Sequence, residues 1–189
     1  MDTQGKVLLV KVPAKLDAAG AQAARRALEE GGGVAVSVFA ALALDETYVY
    51  CREAAAARLD QAGARARALF PDAQVRLLEP ACLLAGASQG QDAPWHYIVE
   101  TDVLPEQEQD LNAWYDQEHL PGLAGVPGTV RAERYLCRDG SPRYHACYDL
   151  HTQETFGSPP WLAVRATDWS SRVRPAFRNT KRTMFQRVA

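Results

Sequence analysis

Short runs rich in Val, Leu and Tyr alternate along this chain with longer Ala/Arg/Glu/Leu stretches whose apolar positions recur at helical spacing. Lys6–Val12 reads as a strand. Asp17 then supplies an N-cap for a helix that ends at Gly31-Gly32-Gly33. Strands follow over Val34–Leu44 and Thr47–Arg52, separated by the turn-like Asp45-Glu46. A helix over Ala54–Phe70 is stopped by Pro71-Asp72, and Gln74–Leu84 reads as a strand. The small, polar stretch 86–94, closed by Pro94, reads as a linker. Beyond it the order repeats. His96–Val103 is a strand, and Pro105 opens a helix that runs to about His119 and is stopped at Pro121, with Val126-Pro127-Gly128 beyond it. Thr129–Cys137 and Arg143–His151 form a hairpin through Asp139-Gly140. Ser158-Pro159 opens a helix to about Val173, and Thr180–Val188 closes as a strand.

Each half therefore reads β-α-β-β-α-β, the ferredoxin-like order. The predicted fold is α+β: tandem ferredoxin-like units over residues 1–85 and 95–189, forming an intrachain barrel-like pseudo-dimer. Strand Arg143–His151 places Tyr144, Ala146, Tyr148 and Leu150 on one side, which is core. Its other side mixes His145, Cys147 and Asp149, as in a semi-buried surface or a cavity wall.

Composition narrows the function classes. A net charge of -2 and a pI near 6.1 argue against nucleic-acid binding. The basic cluster Arg165, Arg172, Arg174, Arg178, Lys181 and Arg182 reads as a solvated helix face and strand edge. Cys51, Cys82, Cys137 and Cys147 form no CxxC pair, so buried free thiols are expected. The N-terminal residues lack a signal-peptide pattern and no apolar run spans a bilayer, so a cytoplasmic protein with no membrane partner is expected. A P-loop, a G-x-G-x-x-G and a G-x-S-x-G elbow are all absent from the sequence.

The chemistry gathers in Leu111–Pro121. Helical spacing stacks Tyr115 on His119 and sets Asp116 three residues before it, where a carboxylate could fix the imidazole tautomer. His119 is the candidate general base or acid, with Tyr115 or Arg134 stabilising an oxyanion. Arg134 is the charged member of a strand side otherwise built from Val130, Ala132 and Leu136. The structural alternative puts His119 in the last helical turn as an imidazolium facing free carbonyls, with Trp114 and Tyr115 as core aromatics. His145 and His151 lie too far apart along one strand to share a metal ion.

Trp114-Tyr115-Asp116-Gln117-Glu118-His119-Leu120-Pro121, then Val126-Pro127-Gly128, then Arg134-Tyr135, resemble the dimeric α/β-barrel superfamily, and within it the EthD-like branch. The resemblance covers roughly residues 95–188; residues 1–85 carry no comparable motif. It implies modules that pair through their sheets, in a superfamily of cofactor-free monooxygenases, isomerases, cyclases, dehydratase-like enzymes and haem enzymes. The expectation is a small-molecule-binding protein with no cofactor, in which Trp114, Asp116 and Tyr135 contact the substrate. The alternatives are a non-catalytic binding or structural module, and a redox protein with haem on His119 or with a metal. A homodimer of pseudo-dimeric chains is compatible with the composition.

Overall fold

The computed structural model describes residues 5–52 and 56–189. Strands Val7–Val12 (β1), Ala35–Ala41 (β2), Thr47–Arg52 (β3) and Gln74–Ala85 (β4) alternate with helices Ala18–Glu29 (α1) and Ala56–Leu69 (α2) in the predicted order. The predicted helix start at Ala54 lies outside the described residues. Trp95–Val103 (β5), Thr129–Cys137 (β6), Tyr144–Leu150 (β7) and Phe177–Arg187 (β8) follow. Between β5 and β6 lie helices Glu108–Trp114 (α3) and Leu120–Ala124 (α4). Between β7 and β8 lie Pro159–Arg165 (α5) and Asp168–Val173 (α6).

The eight strands close into an antiparallel barrel in the order β1-β3-β2-β8-β5-β7-β6-β4. Read around the ring, β4-β1-β3-β2 and β8-β5-β7-β6 each carry the ferredoxin-like strand order. The mixed α+β barrel expected from element order is the observed fold. The chain forms two compact units, one of Met1–Pro80, Cys137–Gly140 and Met184–Ala189, the other of Ala81–Leu136 and Ser141–Thr183.

In the first unit the layer between sheet and helices is aliphatic and closed. Leu8, Val10 and Val49 from the sheet meet Leu28 of α1 and Leu59 and Ala62 of α2. Asp17 caps α1 as predicted, its carboxylate accepting from the Gly20 N–H at 2.7 Å.

In the second unit the hairpin β6–β7 pairs Arg134 with Ala146 and Tyr135 with His145, with an irregularity between Thr129 and Arg131. Segment 86–94, expected as a linker, is held by backbone hydrogen bonds: Gly86 N–H to Val130 O, Ala87 N–H to Ala124 O and Ser88 N–H to Thr129 O. Gly86 is required by this close approach. A Cβ there would sit 2.1 Å from the Thr129 carbonyl oxygen and 2.6 Å from its carbon, and neither backbone atom can swing away. Gly86→Ala is therefore expected to cost about 1–3 kcal/mol, the range for forced overpacking, measured by urea unfolding.

The single helix predicted from Ser158 to Val173 is two helices. It breaks at Ala166-Thr167, where the Thr167 hydroxyl accepts from the Ser170 N–H at 3.0 Å and so caps α6. A threonine that offers the backbone a cap competes with helix continuation. Ser158 precedes α5 but makes no side-chain capping bond.

Candidate functional site

Helices α3 and α4 are joined by a π turn over Tyr115–His119, in which the Leu120 N–H donates to the Tyr115 carbonyl five residues back. The expected stop at Pro121 does not occur; the helical path continues to Ala124 and ends at Gly125. A proline has no N–H and its ring clashes with the carbonyl four residues back. The widened turn just before Pro121 relaxes that clash, which is why the helix survives it. His119 thus lies mid-helix, and the reading of a helix-terminal imidazolium is overturned.

The extra residue in the turn also changes which side chains meet. Tyr115 and His119 touch edge-on with ring centroids 5.4 Å apart. Trp114, five residues before His119, stacks on the imidazole at 4.0 Å and 19°. Regular α-helical spacing brings only third and fourth neighbours together. Glu118 fixes this arrangement by accepting from Trp114 Nε1 at 3.1 Å and from the Thr167 hydroxyl at 2.6 Å, which ties the π turn to the cap of α6.

His119 is only 7% exposed and its Nδ1 is buried with no hydrogen-bond partner. Burial, reinforced by Arg165 and Arg174, lowers its pKa to about 3, so the ring is neutral. It lines a cavity of about 20 Å³, enough for a water molecule or one substrate oxygen, between the π turn, α5 and the sheet. Two further buried polar atoms without partners belong to residues lining the same cavity: Tyr148 Oη and Trp161 Nε1. Tyr97, Tyr148 and Trp161 pack edge and face around it, with centroids 5.3–6.2 Å apart. Burial raises Tyr97 and Tyr115, the latter to about 12, and Tyr148 well above the usual tyrosine value, so all three phenols are neutral donors.

Tyr148 read from the sequence as core, and Trp161 was not singled out. The signal that could have found them is chemical: a buried Tyr or Trp normally finds a partner for its polar atom. Three buried polar atoms left unpaired around one cavity are an unmet demand for hydrogen bonds.

The basic cluster also divides. Arg165, Arg174 and Arg182 line the pocket. Arg172 instead forks onto Asp110 at 3.0 and 3.1 Å, and Arg178 bonds the carbonyls of Pro175 and Phe177. Half of the cluster read as solvated therefore lines the pocket.

Arg134 lies elsewhere. It is 2% exposed and sandwiched between the rings of Tyr115 and Tyr144, at 4.5 and 4.8 Å. It donates to Asn112 Oδ1 at 2.6 Å and reaches Asp116 at 3.7 Å. Asp116 is thus a partner of Arg134 on an exposed edge, not of His119. Tyr115 touches both His119 and Arg134, while Arg134 itself does not line the cavity. Tyr135 is buried on the opposite face of β6, across from His145. On that face His96 Nδ1 and Asp149 Oδ1 meet at 2.7 Å, with Arg131 on the second carboxylate oxygen, a cluster across the adjacent strands β5, β7 and β6 that spacing along one strand does not reveal. Among the described residues no group of three His, Cys, Asp or Glu side chains is arranged to hold a metal ion. Also among them, no helix is long and apolar enough to cross a membrane.

No family model matches the sequence, and no curated protein is similar to it in sequence. Solved structures do share the fold. A "putative monooxygenase" from Fusobacterium nucleatum subsp. nucleatum superposes with a TM-score of 0.71 at 12% identity, covering 97% of this chain and 92% of that one. An anthrone oxidase-like protein gives 0.67 at 15% identity, covering 100% and 94%. The haem-degrading enzyme of Listeria monocytogenes gives 0.61 at 8%, covering 96% and 98%. The fold is that of the dimeric α+β-barrel proteins. Haem does not fit this pocket: a ligand of that size needs on the order of several hundred Å³ where about 20 Å³ is open, and the Trp114 ring lies against the His119 imidazole.

Proposed function

We propose that the pocket at the π turn is the active site of a cofactor-independent enzyme of the oxygenase, isomerase or cyclase type, acting on an apolar, oxygenated organic substrate. The observation that carries this reading is that three residues lining one aromatic-walled cavity, His119, Tyr148 and Trp161, each hold a buried polar atom without a partner: Nδ1, Oη and Nε1. His119 is the general base. Being neutral, its Nδ1 takes a proton from an acidic C–H or O–H of the substrate, leaving an imidazolium and a substrate enolate or phenolate. Tyr148 and Trp161 donate to the developing oxyanion, and Tyr115 borders it. Trp114 holds the imidazole plane. Arg134, through its contact with the Tyr115 ring, is a positioning residue. The later fate of the anion, whether reprotonation, ring closure or capture by dioxygen, is set by the substrate.

A free-protein pKa near 3 makes a weak base, and here the causes of the shift matter. An anion forming beside Arg165 and Arg174 offsets their repulsion of the imidazolium, so base strength rises as the reaction proceeds. The EthD-like resemblance fits the same reading, because its helix motif coincides with the π turn.

The test is a turnover screen of anthrone and related hydroxylated aromatic ketones. His119→Gln is expected to lower kcat by about 10²–10⁴-fold, the usual worth of a positioned general base. Tyr148→Phe and Trp161→Phe are each expected to cost roughly 10–10³-fold, as for loss of one oxyanion donor. A His119→Gln protein with wild-type turnover and ligand profile removes the reading.

A further inference from the structure

We propose that the substrate carries a carboxylate, held at the mouth of the pocket by Arg165, Arg174 and Arg182 while its oxygenated end enters the cavity at His119. This inference rests on the pocket being the substrate site and specifies the substrate class.

The three arginines come from different places in the chain: the end of α5, the turn after α6, and β8. Nothing local in the sequence forces them together, yet all three line one pocket. Among the described residues no carboxylate is within ion-pair distance of any of them, whereas the neighbouring Arg172 has Asp110. Like charges gathered without a counter-charge repel, and an anion between them removes that cost. The mutual effect is visible in Arg174, whose pKa is lowered first by burial and then by Arg165 and Arg182.

Arg174 is also preorganised. Its Nε and Nη2 donate to Ser170 Oγ at 3.0 and 2.7 Å, and Nη2 donates to the Arg165 carbonyl. A guanidinium held in this way loses little freedom on gripping a carboxylate, and its Nη1 keeps both N–H groups for a carboxylate oxygen. Arg182 is exposed and Arg165 half-buried, so both can swing to admit a ligand over the small cavity. His119 gives the second, independent sign that a ligand belongs here, since its buried Nδ1 has no partner within the protein.

The experiment compares 6-hydroxy-2-naphthoate with its neutral near-isostere 6-hydroxy-2-naphthamide, titrated into the full-length protein by calorimetry at low salt. Wild type is expected to favour the acid by about tenfold or more, the worth of one charge-assisted contact. Arg165→Gln/Arg182→Gln is expected to narrow this preference below about threefold, and Arg172→Gln to keep it. Arg182→Gln alone, at an exposed position, gives a smaller loss of preference and serves where the double variant does not fold. Equal binding of acid and amide by wild type, or a double variant with undiminished preference, overturns the carboxylate proposal and leaves the cavity reading standing. Binding of neither compound at about 1 mM, where even a weak site fills, overturns both.

Discussion

Trp114→Ala is expected to lower stability by about 3–5 kcal/mol, the cost of removing a fully buried indole. Trp114 is 1% exposed and its ring contacts His119 at 4.0 Å, Tyr115 at 4.7 Å and Phe177 at 6.2 Å. The variant loses more than packing. Glu118 gives up one of the two donors that hold the π turn against α6. For a chain of this size the melting temperature should fall by roughly 6–20 °C, read by thermal unfolding. Trp114→Phe keeps a ring on the imidazole and loses the hydrogen bond to Glu118, so its cost should be smaller, about 1–2 kcal/mol. A Trp114→Ala protein within about 1 kcal/mol of wild type would mean that the stack on His119 is not a packing element of the folded state.

The order of elements was legible because it depends on periodicity and punctuation, both local properties. Asp17 marks the start of α1 by its side-chain cap, and the glycines after α1 mark its end by their positive φ. The π turn was not legible for the same reason. Its signal is a single hydrogen bond displaced by one residue, and Pro121 argues for a stop until the turn is widened. The break at Thr167 was hidden similarly, since threonine is tolerated mid-helix and only its side-chain acceptance from Ser170 reveals a cap.

The candidate site was half legible. His119, Tyr115 and Trp114 were visible because three chemically rich residues sit within one six-residue stretch. Tyr148 and Trp161 were not, because alternation assigns a residue to a face without saying whether its polar atom is paired there. The arginines failed for a third reason. Their convergence depends on the bend between α5 and α6, which places Arg165 and Arg174 on one pocket wall while Arg172 turns to Asp110. The first unit shows what the same layer looks like without these features: Leu28, Leu59 and Ala62 fill it with aliphatic contacts. The two units thus spend the same interlayer space differently, one on packing and one on a cavity with unmet polar groups.

Acidification should reveal the cost of burying His119. Its folded-state pKa of about 3 lies below the roughly 6.5 of an unfolded histidine. Between those values the unfolded chain binds the proton that the folded chain refuses, so stability is full above about pH 6.5 and falls as pH drops toward 3. The groups around the ring do not relieve this. Arg165, Arg174 and Arg182 are cationic, Tyr97, Tyr115 and Tyr148 are neutral, and the Glu118 carboxylate is engaged by Trp114 and Thr167. Wild type should therefore lose roughly 3 kcal/mol more than His119→Gln between pH 7 and pH 4, by urea unfolding at each pH. Subtracting the variant cancels the carboxylates that titrate over the same range. The 6-hydroxy-2-naphthoate complex should narrow the gap, because an anion between the arginines lets the imidazole accept its proton at less cost. Parallel pH dependences for wild type and His119→Gln would mean that His119 ionises freely in the folded protein. Its role as a neutral base in this pocket would then fall.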